Sequence, residues 1–105
     1  MKILTYLSKE KINSIVQSKE NYNFYIDIDN KKYEATLCGY PIVHNAFGEI
    51  INSKIKIKNI SFEDMSILNF QVGQKIKIDD EDYYVRGLEI ESFYRRAEVT
   101  VIKTK

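Results

Sequence analysis

The segment QKIKIDDEDYYVRGLEIESFYRRAEVTVIK, residues 74–103, alternates apolar and polar residues in three runs that are separated by turn-like clusters. Three alternating runs joined by short turns predict a three-stranded antiparallel meander. A two-residue turn at 80–81 places Ile78 opposite Tyr83 and Ile76 opposite Val85, so the first hairpin has one apolar face.

The apolar positions change parity inside this meander. They are odd-numbered through Val85 and even-numbered from Leu88, with Gly87 at the change. One extra residue in a strand produces such a shift, so we predict a β-bulge near Arg86 and Gly87. The central strand should bend there.

The second hairpin gives the remaining register. A loop centred on residues 94–95 places Leu88 opposite Val101 and Ile90 opposite Val99. A bent central strand that joins two hairpins suits a small antiparallel β-barrel or a two-layer sandwich. The register predicts that the apolar face of the meander is largely buried: Ile76, Ile78, Tyr83, Val85, Leu88, Ile90, Val99 and Val101.

The composition describes one ordered globular domain, residues 1–105. Sixteen basic and fifteen acidic residues give a net charge of +1, so no overall field favours a nucleic acid, an anionic membrane or an acidic substrate. The single cysteine, Cys38, excludes an internal disulfide and a cysteine-based metal cluster. We expect no signal peptide and no transmembrane segment, hence a soluble protein without a membrane partner.

Residues 1–20 form a predicted N-terminal helical segment, because apolar residues recur there at spacings of three to four, with a possible break near Ser8. A β-barrel is predicted over residues 22–103. Its first hairpin has either a turn centred on residues 30–31 or a four-residue loop in the same register, and both set Ile28 opposite Tyr33 and Phe24 opposite Leu37. Residues 38–50 have no periodicity and are interpreted as a long loop.

Residues 51–58 alternate isoleucine with lysine and predict a strand with one lysine-rich face. A short internal helix follows. Ser61 is the predicted N-cap, with Ile60 and Met65 at the positions of a hydrophobic staple. Val72 and Gly73 are expected to end the helix.

No catalytic constellation is evident, and the sequence does not indicate an enzyme. Cys38 and His44 are close in sequence, but nothing identifies a third group that would orient them as a nucleophile pair. The acidic run 79–82 lacks the spacing of a calcium loop and suits a solvated turn. The four glycines are too scattered to cradle a phosphate. We therefore expect no cofactor, no metal and no small-molecule substrate.

A basic strip is the main alternative to a purely structural role. Lysines 54, 56 and 58, together with arginines 86, 95 and 96, would lie beside Tyr84, Phe93 and Tyr94. Small barrels bind single-stranded nucleic acid with such surfaces. Edge strands, however, also carry lysines simply to prevent aggregation.

Two groups of apolar and arginine side chains are candidates for binding a protein partner. The long loop carries Tyr40, Ile42, Val43 and Phe47, which gain little by remaining in water. The predicted turn Phe93, Tyr94, Arg95, Arg96 offers residue types that are enriched at interfaces.

Residues 60–92, followed by residues 97–103, resemble the C-terminal pattern of small head–tail joining and head-closure proteins of tailed phages, such as the lambda-type joiner. The matching pieces are a short acidic helix, a glycine and a strand, a tight acidic turn, an aromatic-valine strand and a final strand: Glu63–Asp64, Gly73, residues 79–82, residues 83–85 and residues 99–102.

The resemblance implies a small, mostly β barrel without chemistry of its own. It also implies a virion component, made in the cytoplasm of a bacterial host, that is a monomer in isolation and a ring homo-oligomer between portal or connector and tail. Two further roles stay open at this stage: a small-barrel module that binds single-stranded nucleic acid, and a tail-completion or bacteriocin component.

Overall fold

The computed structural model describes residues 1–38 and 52–104. These residues form seven strands and two helices in the order β1 (Ile3–Leu4), α1 (Lys9–Ser18), β2 (Tyr22–Ile28), β3 (Lys31–Cys38), β4 (Asn52–Ser61), α2 (Phe62–Leu68), β5 (Lys75–Ile78), β6 (Glu81–Glu91) and β7 (Arg96–Thr104). The predicted mostly β class is confirmed.

The strands close into a barrel in the order β1-β2-β3-β4-β7-β6-β5. Two antiparallel meanders, β2-β3-β4 and β5-β6-β7, contribute six of the strands and meet where β4 pairs with β7. On the other side β1 pairs antiparallel with β2 and parallel with β5. The structure is therefore a barrel and not a two-layer sandwich.

The seam at β1 is held by two aspartates, one from each of the tight turns beside it. The Lys2 amide donates to Asp29 Oδ1 at 2.7 Å, and the Thr5 amide donates to Asp79 Oδ1 at 2.9 Å. The Thr5 hydroxyl also donates to Asp79 Oδ2. Thr5 is only 3% exposed. A two-residue strand thus gains enough backbone partners to close the barrel.

The barrel is filled by inward-facing residues that alternate along each strand, as the pleat requires. Isoleucine and valine dominate, and Val16 of α1 and Phe70 after α2 join the same cluster. Eleven large side chains are less than 2% exposed: Ile26, Ile28, Leu37, Ile55, Ile57, Ile60, Ile78, Val16, Val85, Val99 and Val101.

All three hairpin registers were predicted two residues away from the observed ones. Ile76 lies opposite Tyr83, Leu88 opposite Val99, and Phe24 opposite Ala35. The tight turns are 29–30 and 79–80, and all four of their residues have positive φ, between 50° and 69°. Asp and Asn tolerate this left-handed conformation, so the turns begin one residue earlier than predicted. A shift of two residues leaves each side chain on its predicted face.

The predicted bulge is confirmed, since the β6–β7 register shifts between Val85 and Gly87. The predicted burial is confirmed for most of the apolar face, while Leu88 is only partly buried. It is wrong for Ile90, which is 56% exposed. Ile90 has the inward parity, but it lies near the end of β6, close to the turn that leads into β7.

The N-terminal segment is helical only in part. Ile3 and Leu4 form the strand that closes the barrel, and α1 begins after its N-cap Ser8, whose hydroxyl accepts from the Lys11 amide at 3.1 Å. The expectation of a helix before Ser8 was wrong, because two residues are too few to show a strand period.

The second helix begins as predicted, with the Ser61 side chain accepting from the Asp64 amide. It ends at Leu68 and not near Val72. Asn69 provides a left-handed C-cap at φ 52° and ends the helix before the expected positions Val72 and Gly73. Neither described helix is long and apolar enough to cross a bilayer.

Candidate protein-interaction surface

The turn between β6 and β7 carries the most exposed aromatic side chain of the described residues. Phe93 is 89% exposed and Tyr94 is 59% exposed, and their rings meet edge to face at 5.0 Å. With Ile90, Arg95 and Arg96 they form what we call the hairpin tip. An edge-to-face pair restrains both rings, so this apolar surface is presented in a defined orientation.

Both arginines of the hairpin tip are held against aromatic rings. The Arg95 guanidinium lies 5.2 Å from the ring centroid of Phe62, the first residue of α2. The Arg96 guanidinium lies 5.0 Å from the ring centroid of Tyr94. Stacking of this kind costs the guanidinium little of its hydrogen-bonding capacity, because the donors point outward in the plane of the group.

The bulge in β4 fixes the base of the hairpin tip. Asn59 lies there with φ 55°, between the paired residues Ile57 and Ile60. Its Oδ1 accepts from Arg96 Nη1 at 3.1 Å, while its Nδ2 donates to Glu34 on β3. The tip is therefore connected to β3, β4 and α2, and does not hang on the two strands of its hairpin alone.

Helix α2 is itself anchored by a polar contact with β3. Asp64 Oδ2 accepts from Lys31 Nζ at 2.6 Å and from the Tyr33 hydroxyl at 3.0 Å. Hydrogen bonding from Lys31 lowers the pKa of Asp64. Burial, together with the bond to Asp64, raises the pKa of Tyr33 to about 12. The helix that supports Arg95 is thus held in place by a charge-assisted contact.

The predicted partner-binding residues fall into two groups. Phe93, Tyr94, Arg95 and Arg96 come together on the hairpin tip as the sequence indicated. Tyr40, Ile42, Val43 and Phe47, and the long loop that contains them, lie outside the described residues, as does His44. Cys38 is described and buried as a free thiol.

The predicted basic strip is divided by carboxylates. Residues Lys54, Lys56 and Lys58 face outward from β4, as predicted, but β4 pairs on both sides and is not an edge strand. Their role is therefore not the protection of an open edge. Glu89 and Glu98 pair across β6 and β7, between these lysines and the hairpin tip. Burial raises the pKa of Glu98, and the neighbouring Glu89 carboxyl raises it further.

Sequence reasoning missed four residues of these surfaces, two at the hairpin tip and two beside the basic strip. Asn59 and Phe62, which hold the arginines of the tip, belong to β4 and α2, and no short-range pattern connects them with residues 95–96. Lys75 and Lys77 were not assigned to the basic strip. The alternation of residues 75–78 places both lysines on the outer face, and the pairing of Lys75 with Tyr84 brings it beside the bulge.

Within residues 1–38 and 52–104, no group of three or more His, Cys, Asp or Glu side chains is arranged to hold a metal ion. Comparisons with protein-family models, with curated proteins and with solved structures found no match to this chain.

Proposed function

We propose that the protein is a structural adaptor of a phage or prophage particle, which joins the head to the tail as part of an oligomeric ring and binds a neighbouring subunit through the hairpin tip. The observation that carries this proposal is the restrained tip itself: two exposed rings and two stacked arginines on a closed barrel. Aromatic and arginine side chains in such clusters dominate the energetics of protein interfaces.

The sequence resemblance supports the same role. The described elements follow the order of the head–tail joining pattern: an acidic short helix, Gly73, a strand, a tight acidic turn, an aromatic-valine strand and a final strand. A closed barrel suits an adaptor because it offers no free strand edge along which copies would aggregate.

The test is a change of Phe93, Tyr94, Arg95 and Arg96 to serine in the particle-producing strain. We expect full heads and free tails to accumulate, visible by electron microscopy, because the contact that joins them is lost. The matched control is Tyr25→Ser, which removes another exposed aromatic residue, 63% exposed on β2, and should leave joined particles. Circular dichroism of the purified variants verifies that the barrel is intact.

Normal particles from the four-serine variant would contradict the assigned surface. Genes for portal, capsid and tail proteins beside this one are expected. A neighbourhood without any of them would contradict the assigned particle, and a phenotype confined to short or incomplete tails would favour a tail-completion or bacteriocin component instead.

A further inference from the structure

The outer surface of β5, β6, β7 and β4 carries a group of cations around an aromatic and an aliphatic residue. Strand pairing aligns Lys75, Tyr84, Ile102 and Lys54 in one row across these four strands. The neighbouring row contains Gly87, Thr100 and Lys56. We call this surface the basic face; its cations are Lys54, Lys56, Lys75, Lys77 and Arg86.

The bulge contributes to the basic face in two ways. Arg86 is the extra residue between the paired positions Val85 and Gly87, and it is exposed. A bulge re-aims the side chain that it contains. Gly87 has no side chain, and a β-carbon placed there would meet nothing within 4 Å, so the surface beside Tyr84 is open.

Few carboxylates neutralise this group. Among the described residues, the salt bridges of the five cations involve only Asp82, which lies 3.4 Å from Lys75 Nζ and 3.2 Å from Lys77 Nζ. Glu98 also lies near Lys56, but no salt bridge joins the two side chains in the part of the chain that the structure describes. The surface therefore carries a local positive charge although the whole chain is nearly neutral.

The dimensions suit an extended polyanion. Four adjacent strands span on the order of 15 Å across the row, and residues two apart on a strand are separated by about 7 Å. Tyr84 is 39% exposed at the centre of the cations. An exposed ring between cations is the arrangement with which small barrels bind single strands: the cations contact phosphates and a base stacks on the ring.

We propose that the basic face binds single-stranded nucleic acid, with Lys54, Lys56, Lys75 and Arg86 contacting the phosphate backbone and Tyr84 stacking on a base. This binding is separate from the adaptor role, because Glu89 and Glu98 lie between the basic face and the hairpin tip. A protein can lose either surface without losing the other.

The experiment is fluorescence anisotropy of a labelled 20-nucleotide oligothymidylate with the purified full chain, between 50 and 300 mM salt. Four phosphate contacts predict a slope of about −3 in log affinity against log salt, since each contact on a single strand contributes about 0.7. Lys54→Gln combined with Lys56→Gln should reduce that slope by about 1.4.

Tyr84→Leu separates stacking from packing, because leucine keeps an apolar side chain on the sheet. We expect about a tenfold loss of affinity because a stacking contact is lost. The slope of log affinity against log salt should not change, because no phosphate contact is removed. The matched control is Lys58→Gln on the same face of β4, where Glu34 is the cross-strand neighbour of the lysine. This control should change affinity less than twofold.

Three results would overturn the proposal. The first is no anisotropy change at 50 mM salt, and the second is an equal loss in Lys58→Gln and in the double variant. The third is equal competition by duplex DNA of the same length, whose paired bases cannot stack on Tyr84. Normal particle assembly by the double variant would leave the adaptor proposal intact, so the two proposals fail independently.

Discussion

The hairpins β2–β3 and β5–β6 are two versions of one structure. In each, two inward isoleucines precede a turn of two left-handed residues, and an inward tyrosine follows it. The equivalent residues lie 50 positions apart: Ile26 and Ile76, Ile28 and Ile78, Asp29 and Asp79, Tyr33 and Tyr83, Ala35 and Val85. The third strands of the two meanders, β4 and β7, are also equivalent, and they pair with each other.

The two hairpins differ in how each contacts a helix. Lys31, the first residue after one turn, pairs with Asp64 of α2 at 2.6 Å. Glu81, its equivalent, pairs with Lys9 of α1 at 2.9 Å. The same position thus carries opposite charges, each matched by its own helix. Exchange of the helices would bring Lys9 to Lys31 and Asp64 to Glu81, and both contacts would be repulsive. The shared residues specify a hairpin, and the reversed charges give the end of each turn an ion pair with a different helix.

The largest effect is expected from a charge inside either hairpin. Ala35→Asp and Val85→Asp both place a carboxylate where the wild-type residue is 1% exposed. Burying an unpaired charge costs on the order of 4 kcal/mol or more, so neither variant should fold. Circular dichroism on heating measures this. The control Tyr84→Asp, on the outer face, should stay folded, and a soluble Val85→Asp protein with unchanged Tm would mean that the faces are inverted.

The turn aspartates should distinguish the hairpins. Asp79→Ala leaves the amide and hydroxyl of buried Thr5 without their acceptor and should lower the free energy of unfolding by about 3 kcal/mol. Asp29→Ala releases only the exposed Lys2 amide and should cost about 1 kcal/mol. Urea denaturation gives both values. Asp80→Ala, in the same turn with φ 63°, measures the backbone cost alone. Equal losses at 29 and 79 would contradict the role of burial.

Glycine at the second position of each turn should stabilise the protein. Asn30 and Asp80 have φ of 69° and 63°, and glycine adopts this conformation without steric cost. The resulting Asp-Gly pairs are favoured in two-residue hairpins of this handedness. We expect a gain of about 0.5 kcal/mol for Asn30→Gly and for Asp80→Gly, measured by urea denaturation. A loss in both variants would show that the side chains make contacts worth more than the strain.

The smallest effects on stability are expected from changes in protonation. They concern the β5–β6 hairpin at acid pH and the β2–β3 hairpin at alkaline pH. Hydrogen bonds from Lys9 and then Lys103 lower the pKa of Glu81 from 4.5 to about 2. Its contribution to stability is present above pH 4.5 and is lost as the pH falls toward 2. Glu81→Gln should therefore weaken the acid dependence of Tm relative to the parent chain. An unchanged acid dependence of Tm in this variant would exclude Glu81 as a cause and leave Asp64 and Asp82, whose pKa values are also lowered.

Tyr33 acts at the opposite end of the pH range. Its pKa is raised from 10.0 to about 12, so its contribution is complete below pH 10 and is lost as the pH rises toward 12. The pKa values of Tyr6 and Tyr83 are also raised, so ultraviolet titration should show a late phase to which Tyr33 contributes, and Tyr33→Phe should reduce its amplitude by one tyrosine. An unchanged amplitude of the late phase in Tyr33→Phe would exclude Tyr33 from it.

The local periodicity of the sequence was sufficient to predict most of the buried strand positions, the bulge at Gly87 and the cap at Ser61, although the predicted burial of Ile90 was wrong. Registers were predicted two residues away because neither tight turn contains the glycine that is typical of such turns; Asp and Asn adopt positive φ at 29–30 and 79–80 instead. The 50-residue repeat aligns these two turns with each other. Ile3 and Leu4 were wrongly predicted as helix, because their strand pairing depends on the distant turns at Asp29 and Asp79.

The hairpin tip, too, could be predicted from the sequence only in part. The residue types of Phe93, Tyr94, Arg95 and Arg96 were readable from the sequence, but their restraint by Asn59 and Phe62 is a tertiary effect. The basic face likewise depends on strand order, which brings Lys75 of β5 and Lys54 of β4 into one row.

The stability of the two-residue pairing at β1 determines how often the barrel opens and exposes free strand edges. When Ile3 and Leu4 detach, the backbone donors and acceptors of β2 and β5 on that side become available to another chain. Transient opening would then appear as fast amide exchange at Thr5 and Asp79 and, at high protein concentration, as slow self-association through β2. By holding β1 in its place, the carboxylates of Asp29 and Asp79 thus prevent folded copies from pairing with one another through exposed strand edges.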